Sequence, residues 1–154
     1  MLAAFNLGLL LEAQHDLVGA EAAYRRADQR GDANAALNLG LLLEIQHNLA
    51  GAEAAYRRAD QRGNPLAAFN LGLLLKSQED LAGAEAAYRR ADHQHGDANA
   101  ALNLGRLLET HNDLAGAEAA YQRAAQRDDE AAGIARDALR DLQQRLQTNQ
   151  PSPR

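Results

Sequence analysis

Residues 33–64 read ANAALNLGLLLEIQHNLAGAEAAYRRADQRGN, and close copies of this stretch fill most of the chain. The segment NLG recurs at Asn6, Asn38, Asn70 and Asn103, with spacings of 32, 32 and 33 residues. A fixed period of this length is the signature of a repeat protein, in which each unit packs against its neighbours. We therefore expect four repeat units, at about 1–32, 33–64, 65–97 and 98–128.

Each unit is predicted to form two helices joined by short turns. Its apolar residues are mainly Ala and Leu, which favour helices, and β-branched residues are scarce. Asp16, Asn48 and their equivalents precede the second helix, where a side-chain oxygen can accept from its free amides. Gly31 and its equivalents follow that helix, where a left-handed residue ends a helix. Asn64 is expected to cap the next helix, with Pro65 at its first position.

Two glycines recur inside the predicted helices, at Gly8 and Gly19 and their equivalents. Each is expected to cost about 1 kcal/mol relative to Ala in a helix. Their regular recurrence indicates a packing reason. We expect Gly8, with Ala20 and Ala27 of the second helix, to let the two helix backbones approach closely.

The repeat pattern decays after Arg127, but apolar residues persist at Ile134, Ala138, Leu142 and Leu146. This spacing places them on one face of a helix. We therefore predict a capping helix at about 129–147, which covers the apolar face of the last unit. The polar residues 148–154 are predicted to form a disordered tail.

The amino-terminal end shows no corresponding cap. Leu2–Leu11 is identical to Leu66–Leu75, so the chain is expected to begin inside a repeat. One interpretation is that it belongs to a longer array, and another is that a second subunit covers its first helix. An idealised origin of the repeats stays open as well.

Composition narrows the class of function. The chain has no Cys and a formal charge of −5, with Arg and Glu interleaved, which disfavours nucleic-acid and membrane partners. No signal peptide is recognisable and no apolar run is long enough to span a bilayer, so a cytoplasmic location is expected. No phosphate-binding loop, zinc-protease motif or nucleophile elbow occurs, so we expect no enzyme, metal site or cofactor.

The recurring residues resemble the signature of the tetratricopeptide repeat, from about Leu2 to Arg127. Those that carry the resemblance in the first unit are Asn6, Leu7, Gly8, Asp16, Ala20, Tyr24 and Ala27. The units are shorter than the family's repeat of about 34 residues, and the junction at 26–40 also resembles Sel-one-like repeats. The resemblance implies a right-handed α-solenoid of four helix-turn-helix repeats, whose first helices line a concave groove.

By the same resemblance, one stripe of each first helix, including Glu12 and Ala13, would face this groove. Its Asn residues would offer amides to a peptide backbone, or else bond neighbouring groups. Its Leu and Phe residues would form an apolar stripe, or else pack between adjacent first helices. Its charged residues form a mostly acidic rim, which favours a ligand with positive charge. The candidate binding residues are Phe5, Asn6, Leu9, Leu37, Asn38, Leu41, Glu44, Phe69, Asn70, Leu73, Lys76, Leu102, Asn103, Arg106 and Glu109.

The sequence therefore predicts a scaffold or adaptor, not an enzyme. Its expected partner is a peptide, a helix or a domain of another protein, bound in the groove. The alternative is a structural module that associates with itself, stacking end to end through its uncapped N-terminal repeat. Neither nucleic acid nor a membrane is expected as a partner.

Overall fold

The structure, a computed structural model, describes residues 2–127 and 130–148. Within these ranges the chain forms nine α-helices and no β-strand, so the predicted all-α class is confirmed. None of these helices combines the length and the apolar character needed to cross a membrane. The chain divides into two compact units, Met1–Asp80 and Leu81–Arg154. The right-handed course of the array stays a prediction.

The first unit contains five helices, each of which packs against the next along the chain. Alanines of the second helices and leucines of the first helices form its core, because both lie on the helix faces that meet. The helices are α1 (Leu2–Ala13), α2 (Leu17–Gln29), α3 (Ala33–Ile45), α4 (Leu49–Gln61) and α5 (Ala67–Ser77).

The second unit contains α6 (Leu81–His95), α7 (Ala98–Thr110), α8 (Leu114–Ala125) and α9 (Glu130–Thr148). Helix α9 packs against α8 and also contacts α7. It buries Ala131, Ala132, Ala135 and Leu142, while its charged residues between positions 136 and 141 are exposed. It therefore covers the apolar face of α8, as a capping helix does. The predicted tail, 148–154, lies outside the described residues except for Thr148, which ends α9.

The predicted caps of the second helices are confirmed at three of their four positions. Oδ1 of Asp16, Asn48 and Asp113 accepts a hydrogen bond of 2.9–3.0 Å from the backbone amide three residues ahead. Each bond satisfies one of the amides that a helix start leaves without a partner. The local sequence therefore sets where these helices begin.

Helix α5 begins later than predicted. Oδ1 of Asn64 accepts from the amide of Leu66, two residues ahead, at 3.0 Å, while its Nδ2 donates to Oδ1 of Asn34 at 2.9 Å. The first helical residue is Ala67, and Pro65 lies in the turn before it. The interpretation of Pro65 as the first helical residue is therefore wrong.

Left-handed residues separate the helices. Gly31, Gly63 and Gly96 have φ values of 89°, 81° and 64°, as expected for residues that end a helix. The turn between the two helices of a unit uses the same conformation without glycine. The left-handed residues there, with φ of 59–63°, are His15, His47, Glu79 and Asn112.

Glycines inside the first helices make room for a tyrosine ring. A Cβ atom placed on Gly40 would lie 2.5 Å from Cδ1 and Cε1 of Tyr56, a side chain that is fully buried. Gly8 and Gly105 have the same relation to Tyr24 and Tyr121. The predicted packing reason thus exists, but its partner is the tyrosine ring rather than the alanines of the second helix.

The glycines near the start of the second helices have a local role instead. A Cβ atom on Gly51 would lie 2.9 Å from the side-chain amide of Asn48, the residue that caps the same helix. Asn48 is exposed and can move. For these glycines, the expectation of close helix packing is wrong. The missing side chain leaves room for the capping residue to reach the glycine amide.

The two glycine classes predict unequal responses to a methyl group. Gly40→Ala is expected to lower the free energy of unfolding by about 2 kcal/mol, because overpacking against the Tyr56 ring exceeds the gain in helix propensity. Gly51→Ala should change it by less than about 1 kcal/mol, since the weakened cap and the gain in helix propensity offset each other. Urea denaturation of both variants measures the difference, and equal effects would contradict this account.

Candidate functional site

An accessible stripe runs along α3, the helix that lies between α2 and α4. Its members are Asn34, Asn38, Leu41 and Ile45, of which Leu41 is 40% and Ile45 67% exposed. Their spacings of four, three and four residues place them on one helix face. Two predicted binding residues, Asn38 and Leu41, therefore lie together on a surface that a partner could reach.

Leu37 and Leu102 do not contribute to such a surface. Their side chains are 7% and 4% exposed, so their predicted place in the groove is corrected to the core. Helix α3 packs against both α2 and α4, and Leu37 is among the residues of α3 that are buried. The equivalent Phe5 is half-buried and packs against Tyr24, with ring centroids 6.1 Å apart.

A pocket of about 440 Å³ opens between α1 and α3. It is lined by Leu9, Glu12, Ala13, Asn38 and Leu41, all members of the predicted stripe. Leu9 and Leu41 are 42% and 40% exposed, so the pocket offers accessible apolar surface beside one carboxylate and one amide. Apolar pockets with a few polar groups are typical of binding sites.

The first-helix glutamates are held in place by buried tyrosines. The Tyr24 hydroxyl donates to Oε2 of Glu12 at 2.6 Å, and that of Tyr56 donates to Oε2 of Glu44 at 2.7 Å. Burial, together with the Glu12 carboxylate, raises the pKa of Tyr24 to about 12, and burial together with the Glu44 carboxylate raises the pKa of Tyr56. Both tyrosines therefore stay protonated donors near neutral pH.

The same arrangement recurs in the second unit, where it has an additional member. The Tyr121 hydroxyl donates to Oε2 of Glu109, and Nη2 of Arg145 from α9 donates to Oε1 of the same carboxylate. Burial raises the pKa of Glu109, but the hydrogen bonds from Tyr121 and Arg145 outweigh it and hold the pKa below its usual value. Glu109 is thus a carboxylate near neutral pH, bound on both oxygens.

Two of the asparagine amides have partners within the protein. Nδ2 of Asn70 donates to the carbonyl of Leu66 on its own helix at 2.9 Å. Nδ2 of Asn38 lies 3.5 Å from the Tyr24 hydroxyl, which is a weak contact. Asn38 therefore keeps more capacity for a ligand than Asn70 does. Recognition of a peptide backbone by these amides stays a prediction.

The other predicted binding residues differ in how far their side chains are exposed. Asn6, Lys76 and Arg106 are exposed, as is Leu73 at 41%. The remaining four are half-buried: Glu44, Phe69, Asn103 and Glu109.

A charged cluster on the second helices was missed by the sequence analysis. Asp28 of α2 is buried, and Arg58 of α4 donates to both of its carboxylate oxygens at 2.7–3.2 Å. Arg62 also donates to Oδ1. Burial raises the pKa of Asp28, but the two guanidiniums outweigh it and lower the pKa overall.

A similar cluster occurs in the second unit. There Asp92 accepts from Nε of Arg123 at 2.7 Å, and Nη2 of Arg127 lies 3.9 Å from it. The signal in the sequence is an Asp four residues after the buried tyrosine, with Arg residues 30 and 34 positions later for Asp28 and 31 and 35 positions later for Asp92. A charge on an apolar face requires a partner, and the next repeat supplies it.

The chain is similar to proteins of known family and structure. A family model described as Tetratricopeptide repeat matches residues 37–99 and 69–132, which together span more than half of the chain. No curated protein matches the sequence significantly. The junction that resembles Sel-one-like repeats stays a prediction.

Three solved structures resemble the fold, each at 17–20% sequence identity, which shows the fold alone. MamA matches with a TM-score of 0.64 over 90% of this chain and 83% of its own, at 20% identity. Pseudomonas aeruginosa pilF matches with a TM-score of 0.69 and 19% identity. The match covers 98% of this chain and 77% of the pilF chain. A tetratricopeptide repeat protein from Parabacteroides merdae matches with a TM-score of 0.73 and 17% identity. The match covers 93% of this chain and 60% of that protein's chain.

Proposed function

Because the chain belongs to the tetratricopeptide repeat family, a family of protein-interaction scaffolds, we propose that its first helices bind a segment of a partner protein. The observation that carries this proposal is the pocket between α1 and α3. It gathers predicted binding positions from two successive repeats and leaves Leu9 and Leu41 accessible beside polar groups. The proposed role is that of an adaptor without catalytic activity, acting on protein partners and not on nucleic acid or membranes.

Peptides selected from a random displayed library against the whole protein provide the test. The variant that combines Leu9→Gln with Leu41→Gln is expected to weaken the selected peptides by about tenfold or more. Burial of two leucine side chains by a ligand would account for a loss of this size. Fluorescence anisotropy with labelled peptides measures the dissociation constants.

Val18→Gln is the matched control, since Val18 is 80% exposed on the second helix α2 and the substitution is of the same kind. It should leave the affinities unchanged. Equal affinities for the wild type and the double leucine variant would overturn the assignment of this pocket as the binding site.

A second candidate function is self-association through α1. Leu7 and Leu10 are 43% and 55% exposed, whereas their equivalents Leu39 and Leu42 are 2% and 1% exposed. A second copy that packs on this face would bury both leucines. Light scattering at increasing concentration should then show a dimer that Leu10→Gln abolishes, and a monomer at all concentrations would remove this candidate.

A further inference from the structure

We propose that Glu12 and Glu44 bind arginine side chains of the ligand, whose apolar parts lie on Leu9 and Leu41. The proposal rests on the proposed function, because it specifies which protein segments the first helices accept. Glu12 lines the pocket between α1 and α3, and Glu44 lies three residues beyond Leu41 on α3. It commits to a partner segment in which arginine and apolar residues lie close together.

The two carboxylates are oriented before a ligand arrives. Tyr24 and Tyr56 are fully buried, so their hydroxyls are fixed, and each donates to Oε2 of its glutamate. A carboxylate can accept hydrogen bonds on both oxygens. Oε1 of Glu12 and of Glu44 can therefore accept from a ligand while Oε2 stays bound to the tyrosine.

The equivalent glutamate in the fourth repeat already holds an arginine. Glu109 accepts from Tyr121 through Oε2 and from the Arg145 guanidinium through Oε1. The same glutamate and tyrosine pair thus holds an arginine that another helix presents. The chain itself shows which side chain completes this arrangement.

The surroundings of the two carboxylates also favour an arginine of the ligand. Helices α1 and α3 contain no Lys or Arg, so no cation on these two helices competes for Glu12 or Glu44. Arginine combines an aliphatic stem with a planar donor group, which matches accessible leucines beside a carboxylate. Lys76 replaces the glutamate in the third repeat, which would restrict arginine binding in the first unit to its first two repeats.

The probe is a fluorescein-labelled peptide of about nine residues in which arginine and leucine alternate. A second peptide replaces each arginine by citrulline, which keeps the shape and removes the charge. The wild-type protein is expected to bind the arginine peptide about tenfold or more tightly than the citrulline peptide, because hydrogen bonds between charged groups are the strong ones. The variant that combines Glu12→Gln with Glu44→Gln should lose this preference.

Glutamine still accepts the tyrosine hydrogen bond, so the double variant should fold, and urea denaturation verifies this. The control combines Glu21→Gln with Glu53→Gln, which removes the same charge from α2 and α4, and it should keep the preference. Equal binding of the two peptides, no binding of the arginine peptide, or an unchanged preference in the Glu12 and Glu44 variant would overturn the inference. A different result would contradict the proposed function: unchanged binding of the selected peptides by the variant that combines Leu9→Gln with Leu41→Gln.

Discussion

Replacing Tyr56 by Ala is expected to lower the free energy of unfolding by about 3–5 kcal/mol, the range for removal of a buried aromatic side chain. The Tyr56 side chain is fully buried, and its ring lies directly against Gly40 of the preceding helix. Its removal leaves a cavity between α3 and α4 that these helices cannot fill with other side chains. The midpoint of urea denaturation measures the loss.

Tyr56→Phe separates the ring from its hydroxyl. It keeps the packing against Gly40 and removes the hydrogen bond to Glu44, so it should cost about 1 kcal/mol. A loss from Tyr56→Phe as large as that from Tyr56→Ala would contradict the view that ring packing dominates.

The contact with Gly40 can be tested by combining the two substitutions. Gly40→Ala should be destabilising in the wild type, but neutral or stabilising when Tyr56 is already Ala, because the obstructing ring is gone. Additive effects of the two substitutions would show that the methyl group and the ring do not compete for the same space.

The second large effect is expected from the buried Asp28. Replacing both Arg58 and Arg62 by Met should lower the free energy of unfolding at pH 7 by about 3 kcal/mol, because the carboxylate is then buried without a cation. This value is at the low end of the range for breaking a buried ion pair, because both guanidiniums are partly exposed. Urea denaturation gives the value, and Arg57→Met on the same helix should cost about 0.5 kcal/mol or less, since its pair with Glu53 is exposed.

Adding Asp28→Leu to the double arginine variant should recover most of the loss. The replacement side chain would enter the space of about 260 Å³ beside Asp28, which Leu39 also lines. Exchange of a buried ion pair for apolar side chains is often neutral. No recovery in the triple variant would show that the arginines stabilise α2 and α4 by some means other than pairing with Asp28.

The same cluster predicts a dependence of stability on pH. The pKa of Asp28 is lower in the folded state than its usual value near 3.8, so the unfolded state binds the proton more readily. The contribution of Asp28 is complete above about pH 5 and is lost as the pH falls through about 4 and below. The wild type should therefore lose stability in this range more steeply than the triple variant.

The buried tyrosines link stability to the proposed binding surface. The ring of each packs in the core, while its hydroxyl reaches the glutamate at the end of the preceding helix. Substitutions at Tyr24 or Tyr56 are thus expected to affect both folding and binding. Substitutions at Glu12 or Leu41, which are exposed, separate the two effects.

Much of the fold could be predicted because it depends on contacts within a few residues. The capping bonds of Asp16 and Asn48 reach three residues, and the left-handed glycines act at a single position. Four copies of the same signals made the helix pattern plain. Asn64 was the exception, because its side chain bonds the amide of Leu66, which lies in a turn before the helix, and the side chain of Asn34 on another helix.

The candidate binding surface could be predicted in part. The resemblance to the family implied that Asn38 and Leu41 face the same groove, and in the structure both lie on one accessible stripe. It could not show that Leu37, four residues before Leu41, is covered by neighbouring helices. Exposure depends on the packing of other segments, which no single helix determines.

The sequence by itself determined the repeat, the helical class and most helix boundaries, because hydrophobic periodicity and capping are local properties of the chain. The tertiary structure decided which tyrosine requires Gly40, which arginines neutralise Asp28, and which carboxylates lie beside accessible leucines. These relations join residues 12 to 36 positions apart, as in Tyr56 with Glu44 and Arg145 with Glu109. They arise only when successive helices pack, because packing removes water from some side chains and leaves others free to bind.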